Sequence, residues 1–196
     1  MIKILSADFI KGATRSDQYP KTGKPEFAFF GRSNAGKSSL INTLVNRKSL
    51  VKTGSRPGMT RVVNFFFINE SFVLADLPGY GYAQRSEKEN TAFDSMLAEY
   101  ASARAELKTL FFLMDLRRLP TTVEKETIEY FERLNIEVIV VGTKADKLSN
   151  NECHNAVRSM ASLFNRSPEL IPVTSASTKK GRDVILKLIE ARLNLK

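Results

Sequence analysis

A glycine-rich segment near the start of the chain has the residue types and spacing that bind phosphate. "GRSNAGKS" runs from Gly31 to Ser38, follows the apolar run "FAFF" and matches the pattern G-x-x-x-x-G-K-[ST]. In such a loop, glycines let successive backbone N–H groups turn toward a phosphate, and the next helix adds the partial positive charge of its N-terminus. A glycine turn before a helix can match this spacing by accident, so other segments must support the interpretation.

Two side chains of this loop have distinct predicted roles. Lys37 is expected to neutralise β- and γ-phosphate oxygens, and Ser38 is expected to ligate Mg²⁺. The backbone around them is expected to surround the phosphates of a nucleotide. The predicted contacts in this loop are Gly31, Arg32, Ser33, Asn34, Ala35, Gly36, Lys37, Ser38 and Ser39.

A second segment, "ADLPG", ends a later apolar run. Asp76 in it can reach Mg²⁺ through a water molecule, and the backbone N–H of Gly79 can meet a γ-phosphate. Pro78 and Gly79 are also common in ordinary turns, so this segment alone is weak support.

A third segment, "VVGTKAD", bears on the choice of base. It places Thr143, Lys144 and Asp146 at the end of an apolar strand, where ligands of such sheets bind. The Asp146 carboxylate can accept hydrogen bonds from N1–H and the 2-amino group of guanine, whereas adenine has no such pair of donors. "TKAD" alone could also be a turn that begins a helix. Following a phosphate loop, it favours GTP and GDP over ATP.

A fourth segment, "TSAS", closes the last predicted strand. The backbone N–H of Ala176 can meet O6 of guanine, and the neighbouring Ser175 and Ser177 are included in the predicted contacts. Small residues allow this close approach, but they are also common in loops.

Apolar runs of strand length alternate with segments of helical period, as expected for an α/β domain with three layers. We predict a mostly parallel sheet of six strands with one antiparallel edge strand and helices on both faces. The predicted strands are residues 26–30, 62–68, 72–76, 109–115, 137–142 and 170–173, and the predicted helices are 37–45, 88–105, 123–134, 151–164 and 182–193. Only "NES" separates the second and third strands, which indicates a hairpin. Residues 1–25 are predicted to be an N-terminal extension and residues 26–196 a single domain.

Composition limits the classes of function. The net charge of +9 suits a protein that meets a polyanion, although a surface tuned for solubility would also be basic. No apolar run approaches the roughly 20 residues needed to cross a bilayer, and the N-terminus is too weakly apolar for a signal peptide. We therefore expect a cytoplasmic protein without a membrane partner.

A single cysteine and a single histidine exclude an internal disulfide and a Cys/His zinc site.

Taken together, the segments "GRSNAGKSSLIN", "RPGMTR", "DLPGYGYA" and "TKAD" resemble the EngB family of ribosome-assembly GTPases, which is related to the translation-factor GTPases. The similarity runs in order from about residue 5 to the C-terminus. It implies a P-loop GTPase domain in which Thr60 of a first switch ligates Mg²⁺ beside Ser38 and Asp76. It also implies a role in maturing the large ribosomal subunit, with ribosomal RNA as the anionic partner. We expect the protein to act as a monomer.

Two residues depart from the commonest GTPase pattern. Thr143 stands where many relatives have Asn, and this change is expected to remove a side-chain tie to the phosphate loop while keeping the Asp146 contact. Tyr80 stands where Ras-like proteins have a glutamine that positions the attacking water. An aromatic ring cannot orient that water, so intrinsic hydrolysis is expected to be slow.

Asn34 is a candidate to compensate. In some related GTPases, an asparagine at this position helps hold K⁺ against the phosphates, where the cation would stabilise charge in the transition state. Asn34 could instead be a turn residue that tolerates left-handed geometry. The residues predicted to take part in hydrolysis are Lys37, Asn34, Thr60 and Gly79.

The sequence therefore predicts a switch. GTP and Mg²⁺ would order residues 52–61 and 77–84, the ordered face would bind the precursor of the large subunit, and hydrolysis would release it. A P-loop kinase or ATPase would need adenine beside Asp146. A nucleotide-dependent RNA-binding module with little or no turnover is the alternative that Tyr80 leaves open.

Overall fold

The computed structural model describes residues 1–51, 62–81 and 87–194, with side chains in the second helix described from Ser95 onward. The six strands are β1 (Ala7–Ala13), β2 (Glu26–Gly31), β3 (Val63–Ile68), β4 (Phe72–Asp76), β5 (Leu107–Asp115) and β6 (Glu137–Thr143). The five α-helices are α1 (Lys37–Leu44), α2 (Glu87–Ala103), α3 (Thr122–Arg133), α4 (Asn150–Leu163) and α5 (Arg182–Leu193). In the described parts of the chain, no helix is both long enough and apolar enough to cross a membrane.

The strands form one sheet in the order β1-β3-β4-β2-β5-β6. Strands β4, β2, β5 and β6 are parallel, and β3 runs antiparallel to both β4 and β1. The predicted α/β class is confirmed, as is the mostly parallel six-stranded sheet with antiparallel pairing at one edge. Three residues, 69–71, connect β3 to β4: Asn69 and Glu70 have positive φ angles of 49° and 53°, and Ser71 N donates to Ile68 O at 2.9 Å to close a tight turn.

One strand was not predicted, and one predicted strand is absent. Strand β1 lies within residues 1–25, which were predicted to be an extension, and it pairs with β3. Its register shifts between Phe9 and Lys11, which breaks the period-2 alternation that identifies a strand from sequence. Of residues 170–173, predicted as the sixth strand, Leu170 instead ends a short 3-10 helix at Pro168–Leu170, and Val173 forms a single bridge to Gly142. Proline at 168 and 172 explains why no longer ladder forms there.

The sheet separates two apolar layers. On one face, α1 and α5 pack against Phe27, Phe29 and Phe111 through a set of aliphatic side chains that includes Leu40, Ile41, Leu44, Ile185, Leu186 and Ile189. On the other face, α2, α3 and α4 pack against Ala28, Phe30 and Phe112. All six residues of β2 are buried, as expected for a central parallel strand that is covered on both sides.

A buried polar cluster fixes the start of β2. The Glu26 carboxylate accepts from the Tyr100 hydroxyl at 2.5 Å and forms an ion pair of 2.5 Å with Arg104, and all three side chains are buried. Arg104 also donates to the backbone oxygen of Pro20 at 3.1 Å. Burial alone would lower the pKa of Arg104, but hydrogen bonding and charge from Glu26 outweigh it and raise that pKa. The cluster therefore ties β2 to the end of α2 and to the segment after β1.

The replacement Glu26→Ala is expected to lower the free energy of unfolding by about 3–5 kcal/mol, because it leaves the Arg104 guanidinium buried without its partner. Urea unfolding of the ligand-free protein measures this change. Glu132→Ala is the matched control, since Glu132 pairs with Arg166 at the surface and such pairs contribute about 1 kcal/mol or less. Equal losses in the two variants would contradict the structural role of the buried cluster.

Candidate nucleotide site

The phosphate loop lies between β2 and α1, and its backbone geometry explains the spacing of its glycines. A Cβ on Gly31 would lie 2.4 Å from the backbone oxygen of Leu113, so only glycine fits where β2 meets β5. Gly36 has a φ of 94° and caps α1, and Asn34 adopts a left-handed φ of 62°. Asn34 therefore has the turn geometry that its residue type tolerates, and the loop curls back toward the start of α1.

Lys37 lies buried at the base of this loop. Its Nζ donates to the backbone oxygen of Gly31 at 3.4 Å. Burial lowers the pKa of Lys37, and the negative charge of Asp76 acts in the opposite direction. The backbone of Gly79 packs directly on the loop, because a Cβ there would lie 2.9 Å from both Lys37 Nζ and Ser33 N. The structure therefore brings Lys37, Ser33 and Gly79 together.

Ser38 and Asp76 form the polar pair expected at a divalent metal. The Ser38 hydroxyl donates to Asp76 Oδ2 at 3.2 Å. Burial raises the pKa of Asp76 to about 6, against the opposing effects of Lys37 and Ser38. Within the described residues, Asp76 Oδ1 is buried without a hydrogen-bond partner. Two adjacent hard oxygen donors, one of them unsatisfied, fit Mg²⁺ and its bound water. Thr60, the third predicted ligand, lies outside the described residues. The first predicted switch segment, 52–61, and residues 82–84 of the second, 77–84, also lie outside them.

A cavity of about 190 Å³ opens where the guanine base was predicted to bind. Of the residues that line it, those predicted from the sequence are Gly36, Ser39, Thr143, Lys144, Asp146, Ala176 and Ser177. Ser175 is buried and donates from its hydroxyl to Asp146 Oδ1 at 2.6 Å, while its own backbone N–H is held by Lys180 O at 3.0 Å. The hydrogen bond from the Ser175 hydroxyl is the main reason that the pKa of Asp146 is lowered to about 2. The carboxylate is therefore charged and oriented at neutral pH, as two donors of guanine require.

The expectation that Thr143 loses its tie to the phosphate loop is wrong. The Thr143 hydroxyl donates to the backbone oxygen of Ala35 at 2.7 Å and approaches Met114 O at 3.1 Å. The prediction failed because the phosphate loop lies close enough to the end of β6 for the Thr143 hydroxyl to reach Ala35 O. Lys144 adds a second tie, since its Nζ donates to Asn34 O at 2.6 Å.

Asp115 was missed by the sequence analysis. It ends β5, is buried, and forms ion pairs of 3.0 Å with Lys144 and 2.7 Å with Arg117. Burial would raise the pKa of Asp115, but hydrogen bonds from Arg117 and Lys144 outweigh it and hold that pKa well below its usual range. The available signal was an aspartate at the end of the apolar run "LFFLMD", the same placement as Asp76. Asp115 positions Lys144 beside the base cavity.

The side chain of Tyr80 packs against the sheet and the start of α3. The ring packs on Phe30 and Phe112, and the hydroxyl donates to Glu124 Oε1 at 2.9 Å. Its backbone oxygen accepts from Ser33 N at 2.8 Å. The side chain therefore belongs to the contact between the sheet and α3, while the backbone remains attached to the phosphate loop.

Comparison with known proteins agrees with this geometry. Residues 26–144 match the family model described as "50S ribosome-binding GTPase". A Treponema denticola protein named "Probable GTP-binding protein EngB" is 54% identical over 212 residues, covering 98% of this chain and all of that protein. The chain belongs to the EngB family of GTP-binding proteins. A second member of the EngB family, from Desulfatibacillum aliphaticivorans, is 45% identical and matches 95% of this chain and 91% of its own length.

Solved structures place the fold in the same group. The crystal structure of "a probable GTP-binding protein engB" superposes with a TM-score of 0.72 at 22% identity, covering 87% of this chain and all of that one. The GTPase Era, in complex with MgGDPNP and nucleotides 1506–1542 of 16S ribosomal RNA, has a TM-score of 0.63 at 26% identity. That match covers 86% of this chain and 56% of the Era chain. The EngB-family assignment and the P-loop GTPase fold are confirmed.

The replacement Ser175→Ala is expected to weaken GDP binding about three- to tenfold, since one hydrogen bond that orients Asp146 is lost. Titration of a fluorescent GDP analogue measures the affinity. Ser102→Ala serves as the control, because that exposed hydroxyl bonds only within α2, to Ala98 and Glu99. Unchanged GDP affinity in Ser175→Ala would mean that Asp146 needs no support from the "TSAS" segment.

Proposed function

We propose that this EngB-family protein is a GTP-hydrolysing switch that assists assembly of the large ribosomal subunit. The observation that carries the nucleotide part is the Asp146 carboxylate, held by Ser175 in a cavity that the phosphate loop also lines. An ionised carboxylate at that place can accept from N1–H and the 2-amino group of guanine, whereas adenine has no such pair of donors. GTP and GDP are the nucleotides expected from the family.

Mg²⁺ is proposed as the metal, with Ser38 and Asp76 as the described residues that would hold it and Thr60 as the third. When bound, the ion would neutralise charge on the β- and γ-phosphates. Lys37 would bind those phosphates from the base of the loop, and the backbone of Gly79 would meet the γ-phosphate. Because burial lowers the pKa of Lys37 and raises that of Asp76, a bound phosphate and a bound cation would each favour the charged form of the side chain beside it.

Ribosomal RNA is proposed as the partner. Support comes from the family description "50S ribosome-binding GTPase" and from Era, whose structure holds a fragment of 16S ribosomal RNA. A net charge of +9 favours binding to RNA phosphates mainly by charge, with a steep dependence on salt. We further propose that the protein acts in the cytoplasm as a monomer.

A second candidate is an RNA-binding module that uses nucleotide without turning it over. It is favoured by Tyr80, whose hydroxyl is bonded to Glu124 and whose ring is packed on Phe30 and Phe112. A side chain held in this way cannot orient an attacking water, so we propose that turnover is slow unless a partner or a cation assists it. K⁺ near Asn34 is the proposed cation.

Phosphate release from GTP is expected to be slow for the protein alone and to rise at least about tenfold with large ribosomal subunits, since a partner can order the switch segments. The assay compares KCl with NaCl, and the rate is expected to be higher in KCl. The variant Lys37→Ala is the negative control for contaminating phosphatase. No turnover with subunits in either salt would favour the module that does not hydrolyse GTP, and equal rates in the two salts would remove K⁺ from the proposal.

A further inference from the structure

A second, larger cavity of about 530 Å³ lies between the phosphate loop and the start of α3. It shares Lys144 with the base cavity but is otherwise lined by different side chains. Those that matter here are Arg32, Tyr80, Arg117, Arg118 and Glu124. None of the last four was predicted to contact the nucleotide.

The lining of this cavity carries an excess of positive charge. It contains four cationic side chains, from Arg32, Arg117, Arg118 and Lys144, against two carboxylates, from Asp115 and Glu124. Asp115 is engaged by Arg117, through hydrogen bonds of 2.9 and 2.7 Å, and by Lys144. Two of the four cations therefore pair with Asp115, and Arg32 and Arg118 are the two that do not.

Glu124 is also engaged, but by neutral groups. It accepts from the Tyr80 hydroxyl and, as part of the capping box of α3, from the backbone N–H and the hydroxyl of Thr121. Within the described residues, neither Arg32 nor Arg118 forms an ion pair. Burial, followed by Glu124, raises the pKa of Tyr80, and the charges of Arg32 and Arg118 oppose this rise. Arg32, Arg118 and the Tyr80 side chain therefore line one cavity.

We propose that this cavity binds a backbone phosphate of the RNA partner between Arg32 and Arg118. Guanidinium groups match phosphate geometry and are more weakly hydrated than an ammonium group, so two arginines that form no ion pair within the described residues suit a phosphodiester. The inference rests on the proposed RNA-binding function and adds its contact site. RNA is favoured over an acidic protein segment because the net charge of the whole chain also attracts a polyanion.

The position of this cavity connects it to the predicted switch. Arg32 and Tyr80 form a backbone bridge, and Ser33 N donates to Tyr80 O at 2.8 Å. Tyr80 directly follows Gly79, the predicted contact to the γ-phosphate. A phosphate bound at Arg32 would therefore lie beside the backbone that responds to GTP, so RNA binding at this site is expected to differ between the GTP and GDP forms.

Arg118→Glu tests the site without altering a predicted nucleotide contact. The matched control is Arg133→Glu, the same charge reversal on an exposed arginine at the other end of α3. Each protein is loaded with a non-hydrolysable GTP analogue, and its binding to purified large ribosomal subunits and to a labelled ribosomal RNA fragment is titrated over a range of salt. Arg118→Glu is expected to weaken both interactions about tenfold and to reduce the slope of log affinity against log salt by about 1. Arg133→Glu is expected to change neither, and Arg118→Lys to retain most of the binding.

The outcomes separate this inference from the proposed function. If the wild-type protein binds neither subunits nor RNA, the proposed function fails. If the wild type binds and Arg118→Glu binds equally well, or if both reversals weaken binding alike, the RNA site at this cavity is wrong and the proposed function stands. Competition by polyglutamate but not by ribosomal RNA would identify an acidic protein segment as the occupant. Equal competition by inorganic phosphate would reduce the site to one for free anions, and either result overturns the proposal.

Discussion

The parallel pairing of β2 with β4 and β5 is the constraint on which the site depends. Phe29 of β2 is the register partner of both Asp76 and Phe111, so the carboxyl ends of β4, β2 and β5 lie on the same side of the sheet. The phosphate loop, the Ser38–Asp76 pair and Asp115 all follow from that alignment. Because β2 is buried on both faces and held at its start by Glu26, the loop at its other end begins from a fixed position.

Electrostatics at the phosphate loop complement this geometry. Burial lowers the pKa of Lys37 and raises the pKa of Asp76, and within the described residues no ion pair joins the two side chains. Asp146 has the opposite character, because hydrogen bonds keep it ionised. A ligand with a polyphosphate, a divalent cation and a base rich in N–H donors would satisfy all three residues at once. Such a ligand would also stabilise the folded chain in proportion to its affinity.

Much of this arrangement could be predicted from the sequence because it depends on local patterns. The phosphate-loop spacing, the apolar strands and the five helices are periodic signals, and their order determines which strand ends carry Asp76 and Asp146. Strand β1 could not be predicted, since its bulge disrupts the alternation, and residues 170–173 were misassigned because an apolar run outweighed two prolines.

The side-chain contacts were harder to predict than the backbone. The bond from Thr143 to Ala35 depends on how closely the phosphate loop packs on β6, a tertiary distance that no sequence spacing encodes. Asp115 was missed for the same reason, since its partner Lys144 lies on another element. Residues that serve a site through another residue leave only a weak signal in a single sequence.

The central claim is that Asp146 selects guanine by accepting hydrogen bonds from it. Replacing guanine by xanthine in the nucleotide tests this claim most directly. Xanthine has a carbonyl where guanine has its 2-amino group, so the side-chain amide introduced by Asp146→Asn can donate to xanthine but repels the guanine amino group. The affinities for GDP and xanthosine diphosphate are measured by competition. The wild type is titrated against bound fluorescent GDP, and the variant also against a fluorescent xanthosine diphosphate. We predict that Asp146→Asn loses about 10- to 100-fold in GDP affinity and gains affinity for xanthosine diphosphate, with ADP bound weakly by both proteins. Unchanged GDP affinity in the variant, or equal competition by ADP in the wild type, would contradict the account.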